Sequence, residues 1–124
     1  MKTSELTSAA LDWAVAKCEG ATDFWFDTVC THWVKLHGQD RALRYGWAQS
    51  YLPSTDWAQG GPIIEREGIS VLYRTGVRMT ANINGQYEQS VGHRHKGDIG
   101  LLVAMRCYVA SKMGDEIDIP EELK

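Results

Sequence analysis

Apolar and polar residues follow two different rhythms along this chain, and each change of rhythm marks an element. Near the start, Leu6, Ala10 and Trp13 recur at helical spacing, and Leu11, Val15 and Cys18 form a second apolar edge beside them. Thr3 or Ser4 can cap this helix, alanines at 9, 10, 14 and 16 favour it, and Gly20 stops it. A helix apolar on two edges is expected to pack against a sheet. Asp12 interrupts that surface, and burial preferences read it as a solvated edge charge. The period becomes two further along. Residues 69–73 read as a strand, and Val77, Met79, Ala81 and Ile83 alternate with Arg78, Thr80 and Asn82 in a second. Asn84-Gly85 is a type I′ hairpin signal, so residues 86–91 pair back into an antiparallel meander with at least one solvated face. Helical spacing returns over 99–113, where Leu102, Met105, Val109 and Met113 form a stripe between an Asp98 cap and a closing Gly114.

Two segments are less clear. Phe24-Trp25-Phe26 is β-prone, and residues 22–38 read as a strand pair or one long strand because aromatic and β-branched residues dominate. Residues 39–49 read as a polar connection. Arg41 and Arg44 within it are a solvated loop pair or, as the alternative, a service to an anionic ligand. In the tail, Ile117 and Ile119 suggest a short edge strand that Pro120 ends, with fraying from Glu121 onward.

The densest stretch lies between the two rhythms: Ser54-Thr55-Asp56-Trp57-Ala58-Gln59-Gly60-Gly61-Pro62-Ile63-Ile64-Glu65-Arg66-Glu67. Gly60 and Gly61 allow a sharp turn, Pro62 suits the first position of a helix, and Gly68 can close that helix in the left-handed conformation. Amides at such a start would seat a phosphate, carboxylate or carbonyl oxygen. Trp57 would stack on a flat ring, and Asp56 would accept from a hydroxyl or amine. The competing reading is structural, with Asp56 capping a helix and Trp57 plugging the core. Arg106 flanks the apolar stripe of the last helix, where an unpaired guanidinium is costly. A salt bridge to Asp56, Glu65 or Glu67 is the expected remedy. The candidate ligand-binding set is therefore Ser54, Thr55, Asp56, Trp57, Gln59, Gly60, Gly61, Arg66 and Arg106.

Composition narrows the classes. At 124 residues, with 44% hydrophobic and 23% charged residues, the chain is expected to form a single domain over 1–124. The expected fold is α+β, an antiparallel β-sheet with the N-terminal and C-terminal helices packed on one face. A formal net charge of −3 without a basic block argues against duplex nucleic acid, while a small nucleotide needs only one or two cations. Cys18, Cys30 and Cys107 cannot all pair, and read as reduced, mostly buried thiols of a cytoplasmic protein. No signal peptide or membrane span is indicated. His93 and His95 lack ligand partners at useful spacing, so neither a metal nor a cofactor is expected. No G-x-S-x-G or cysteine–histidine signature is present, and the paired acids Glu65 with Glu67 and Asp115 with Glu116 read as solvated.

The central stretch also resembles the signature of the phage NinX-like family, small proteins of tailed phages and prophages. Glu5-Leu6-Thr7 with Leu11-Asp12-Trp13-Ala14-Val15-Ala16-Lys17 matches near the start. Ala104-Met105-Arg106-Cys107-Tyr108-Val109-Ala110-Ser111-Lys112 with Gly114-Asp115-Glu116 matches near the end. Residues 24–46 and Gly97-Asp98-Ile99-Gly100 depart from the pattern. The resemblance implies a small accessory protein in the cytoplasm of a bacterial host, and no particular chemistry. Three functions stay open beside it. The first is a non-enzymatic binder of a small anionic or nucleotide-like ligand that sequesters a host immune signalling molecule, with a homodimer supplying concavity. The second is a module docking on a host or phage protein through exposed tryptophans. The third is a small nucleotide hydrolase with Glu65 or Asp56 as base.

Overall fold

A computed structural model describes residues 1–27, 31–44, 49–73, 78–83, 86–91 and 99–123. It is an α+β fold. Helix α1 (Ser8–Cys18) is followed by strands β1 (Asp23–Phe26), β2 (His32–Leu36) and β3 (Gln39–Ala42). Helix α2 (Trp57–Glu67), strands β4 (Ser70–Tyr73), β5 (Arg78–Ile83) and β6 (Gln86–Val91), and helix α3 (Ile99–Met113) complete it. The strands form two antiparallel sheets, β1-β2-β3 and β4-β5-β6. Helix α3 packs along the second sheet, α1 lies against α3, and β2 reaches α1 from the first sheet.

The meander read from the period-two pattern is present, with Ile83 opposite Gln86 as a two-residue connection requires. Asn84-Gly85 itself lies outside the described residues, as do the Asp98 cap, His93, His95 and Cys30. β1 and β2 form an antiparallel pair, Trp25 facing Trp33 with their rings stacked 6.2 Å apart.

The polar connection expected after residue 38 is in part a third strand. His37 and Gly38 both have positive φ, 53° and 78°, and Leu36 pairs with Gln39 across them. Two positive-φ residues make the tight hairpin that matches strand twist. Backbone pairing then makes a strand of Gln39-Asp40-Arg41-Ala42 despite its polar side chains, which an outer strand tolerates.

The last helix is buried more fully than a single stripe implies. Leu101, Val103, Ala104, Met105, Cys107 and Val109 are all fully buried, because sheet, α1 and α2 each cover a side of α3. Each such large side chain contributes about 1.5–3 kcal/mol. One core cluster runs from Leu6 to Ile119 and draws on both sheets and all three helices. The tail differs from expectation. Ile117 and Ile119 are buried, but among the described residues a single bridge, Lys2 to Glu116, forms there in place of a strand. The Met1 ammonium donates to the Ile117 carbonyl, and Thr3 donates through its amide and hydroxyl to the Asp115 carbonyl. Residues Glu121–Leu123 make a 3-10 turn where fraying was expected.

Candidate functional site

The central stretch folds differently from the turn-then-helix reading. Helix α2 begins at Trp57, and Asp56 is its N-cap, accepting from the Ala58 amide at 3.0 Å. A capping aspartate satisfies one otherwise orphaned helix donor, which places the helix start three residues before the glycines. Gly60 and Gly61 are therefore helical. The Gly60 amide donates to the Asp56 carbonyl at 2.9 Å, so it is closed to a ligand. Gly60 is needed for closeness: a Cβ there would lie 2.3 Å from the Pro53 carbonyl oxygen and 2.4 Å from Leu101 Cδ1. Pro62 sits inside the helix, not at its first position. Gly68, at φ 67°, does close the helix as expected.

The remaining residues of the candidate set scatter. Trp57 is 46% exposed, so it is no core plug. At 100° per residue it lies on the side of α2 away from Gln59 and Arg66. Thr55 is exposed, and Asp56 is engaged in the cap and in a 3.0 Å bond from Gln59. Ser54 is buried, and its amide donates to the Asp12 carboxyl at 2.9 Å. Arg106 Nε donates to the Leu6 carbonyl at 2.8 Å, which ties α3 to the N-terminal segment. Among the described residues the ion pair expected between the last helix and the central stretch is made by Lys112 with Glu67, while Arg66 ties the central stretch to the end of α1. Its guanidinium grips Glu19 at 2.9 and 2.6 Å and Glu67 at 2.8 Å, while Lys112 reaches Glu67 at 3.5 Å. Tyr108 donates to the same Glu19 carboxylate. Burial pushes the Glu19 carboxyl up, but the hydrogen bonds from Arg66 and Tyr108 outweigh it and hold Glu19 below its ordinary value.

Asp12 is a second correction. It is 2% exposed, in the core and not at a solvated edge. Burial pushes its carboxyl up to about 7, against the opposing pull of Ser54. The Ser54 hydroxyl beside it is buried and close enough to share in that pull, but it makes no well-formed hydrogen bond among the described residues.

Where the central stretch does meet open space is a groove of about 240 Å³ between α2 and the β2–β3 hairpin. Gln59, Pro62, Ile63 and Arg66 form one wall; Leu36, His37 and Arg41 form another; Glu19 and Tyr51 complete it. Of the nine candidate residues only Gln59 and Arg66 line it. Gln59 is a brace there, because its amide donates to Asp56 and Ser50 and accepts from the Leu52 amide at 2.8 Å.

Arg41 is the residue that stands out. Its Nε donates to the Gln49 carbonyl at 3.1 Å and its Nη2 to the Ser50 carbonyl at 2.8 Å. The guanidinium carbon lies 5.2 Å from the Tyr51 ring centroid. The side chain is thus held in place, yet among the described residues no carboxylate pairs with it. Sequence reasoning could find Arg41 only as the alternative to a solvated loop pair, since nothing local announces the Gln49 and Ser50 carbonyls as its holders. His37 was given no role in the sequence reading, being too isolated for a metal ligand, although a His-Gly pair between β-prone runs is a weak hairpin signal. Burial, with the charges of Glu19 and Asp12, pushes the Tyr51 phenol above its ordinary value, so it stays neutral in the groove wall.

Fold and groove together define a small α+β protein with an open groove, lined by Arg41, Arg66 and Glu19 among others, beside a capped helix. The family model described as Bacteriophage P22, NinX matches residues 2–112, so the chain belongs to this NinX family of phage proteins. No curated protein matches the chain. Among the described residues no helix is long and apolar enough to cross a membrane.

Proposed function

We propose that this small phage protein is a non-enzymatic binder of a small anionic or nucleotide-like ligand, and that the ligand sits in the groove between α2 and the β2–β3 hairpin. The observation that carries this reading is Arg41, a guanidinium fixed by two backbone carbonyls and, among the described residues, without a carboxylate to neutralise it. A fixed, unpaired guanidinium has already lost its rotamer freedom, so an incoming anion gains a charge-assisted bond at low ordering cost. Arg66 adds positive charge to the opposite wall, although Glu19 and Glu67 offset most of it. The groove is built within one chain, so this reading does not depend on a second copy. In the host cytoplasm such a site would hold a metabolite, including a nucleotide-derived signal, out of circulation.

A second reading keeps an observation of its own. Phe26 and Trp57 are nearly half exposed, and exposed aromatics suit docking on a host or phage protein. The test is mass spectrometry of small molecules released on denaturing protein purified from cells. An anionic compound carried by the wild type and lost from Arg41→Met at unchanged melting temperature supports ligand binding. Identical, empty spectra from both would contradict it and leave the docking reading. Conversion of the compound on incubation would reassign the protein as a hydrolase.

A further inference from the structure

The same groove carries an acceptor as well as a cation, and one strained residue stands at its wall. This inference rests on the ligand-binding reading above. Glu19 lines the groove with its charge kept by Arg66 and Tyr108, so a carboxylate stays available to accept. Arg41 lines it with Nη1 uncommitted among the described residues. A ligand that satisfies both must bring anionic oxygens and a hydroxyl donor together. A simple carboxylate offers no hydroxyl, and sulfate has no proton to give. A phosphate ester of a sugar or polyol has both. The cavity, about 240 Å³, falls below the size of sites that enclose a whole drug-sized ligand. It suits a sugar phosphate, or the ribose-phosphate end of a nucleotide with the base outside.

His37 is the third element. Its φ of 53° places a non-glycine residue in the left-handed region, at the turn between β2 and β3. Histidine tolerates this region better than most residues, but glycine would adopt it freely. Strain kept at a site wall where a cheaper residue would serve points to a use for the side chain. His37 is exposed, lines the groove beside Arg41, and its ring N–H can donate to a phosphate oxygen from a direction the planar guanidinium does not cover.

We infer that the groove between α2 and the β2–β3 hairpin is a sugar-phosphate site in which Arg41 anchors the phosphate, His37 supplies a second donor, and Glu19 accepts from a sugar hydroxyl. The experiment titrates the intact chain with ribose 5-phosphate, adenosine 5′-monophosphate, inorganic phosphate, sulfate and adenosine by calorimetry, alongside thermal unfolding. Wild type should bind both esters, bind phosphate more weakly, and ignore adenosine. His37→Gly should melt higher, because the strain is relieved, and bind the esters about tenfold more weakly, a loss of one charge-assisted hydrogen bond. His37→Asn, which also tolerates the left-handed region, should show the same loss of affinity. Equal affinity of wild type and both His37 variants would overturn the role of His37 while leaving anion binding intact. Sulfate bound as tightly as the esters would overturn the sugar-phosphate class. Absence of binding by any anion would overturn this inference and the ligand-binding reading together.

Discussion

Replacing Asp12 by asparagine should make the protein more stable at neutral and alkaline pH, and the gain should vanish in acid. Asp12 lies in α1, 2% exposed, and accepts from the Ser54 amide at 2.9 Å. Burial raises its carboxyl from 3.8 to about 7. The folded chain therefore keeps a proton that the unfolded chain releases above about 4. Stability from this group is complete below 3.8, falls as pH rises, and is gone above about 7. A rise of about three units, at about 1.36 kcal/mol each, makes the cost of folding with Asp12 ionised up to about 4 kcal/mol. Asparagine keeps the acceptor for the Ser54 amide and adds a donor for the buried Ser54 hydroxyl, with no charge to bury. Urea unfolding of wild type and Asp12→Asn at several pH values from 4 to 8 isolates the effect, since other groups titrate equally in both. The difference should be widest near pH 8 and close as pH falls toward 4. A difference that is constant with pH, or an asparagine variant less stable at pH 8, would refute the burial argument.

Further outcomes follow from neighbouring contacts. Gly60→Ala should destabilise by about 1–3 kcal/mol despite alanine's helix propensity, because its Cβ meets the Pro53 carbonyl oxygen at 2.3 Å. Gly61→Ala, whose nearest neighbour is Trp57 Cε3 at 3.7 Å, should stabilise by about 0.5–1 kcal/mol in the same urea assay. Tyr108→Phe removes the hydroxyl donor to Glu19 and should cost about 1.5–3 kcal/mol at pH 7. Because Glu19 titrates below its ordinary 4.5 in the folded state, its contribution is present above that value and lost on further acidification. The Tyr108→Phe chain should therefore lose less stability than wild type between pH 5 and 3.

The elements that were legible were those whose burial pattern repeats. Leu6 to Cys18 and Leu102 to Met113 announce helices, and the alternation that includes Ala81 and Ile83 announces a strand, because one face of each meets the core. The central stretch misled for a physical reason. A double glycine looks the same whether it frees a turn or lets one helical position pack without a Cβ, and only Pro53 and Leu101 against Gly60 decide. Asp12 was misplaced because nothing nearby in the chain foretells a Ser54 amide 42 residues on. Arg41 and Arg66 meet across the groove only once the His37-Gly38 hairpin folds β3 back, a contact that no local pattern encodes.

The groove can be separated from the Ser54 to Trp57 segment directly by amide chemical shifts as ribose 5-phosphate is added to the labelled protein. The account predicts saturable shifts clustered at His37, Arg41, Tyr51 and Gln59 through Arg66, absent in Arg41→Met. Shifts confined to Ser54 through Trp57, or none at millimolar ligand, would contradict it.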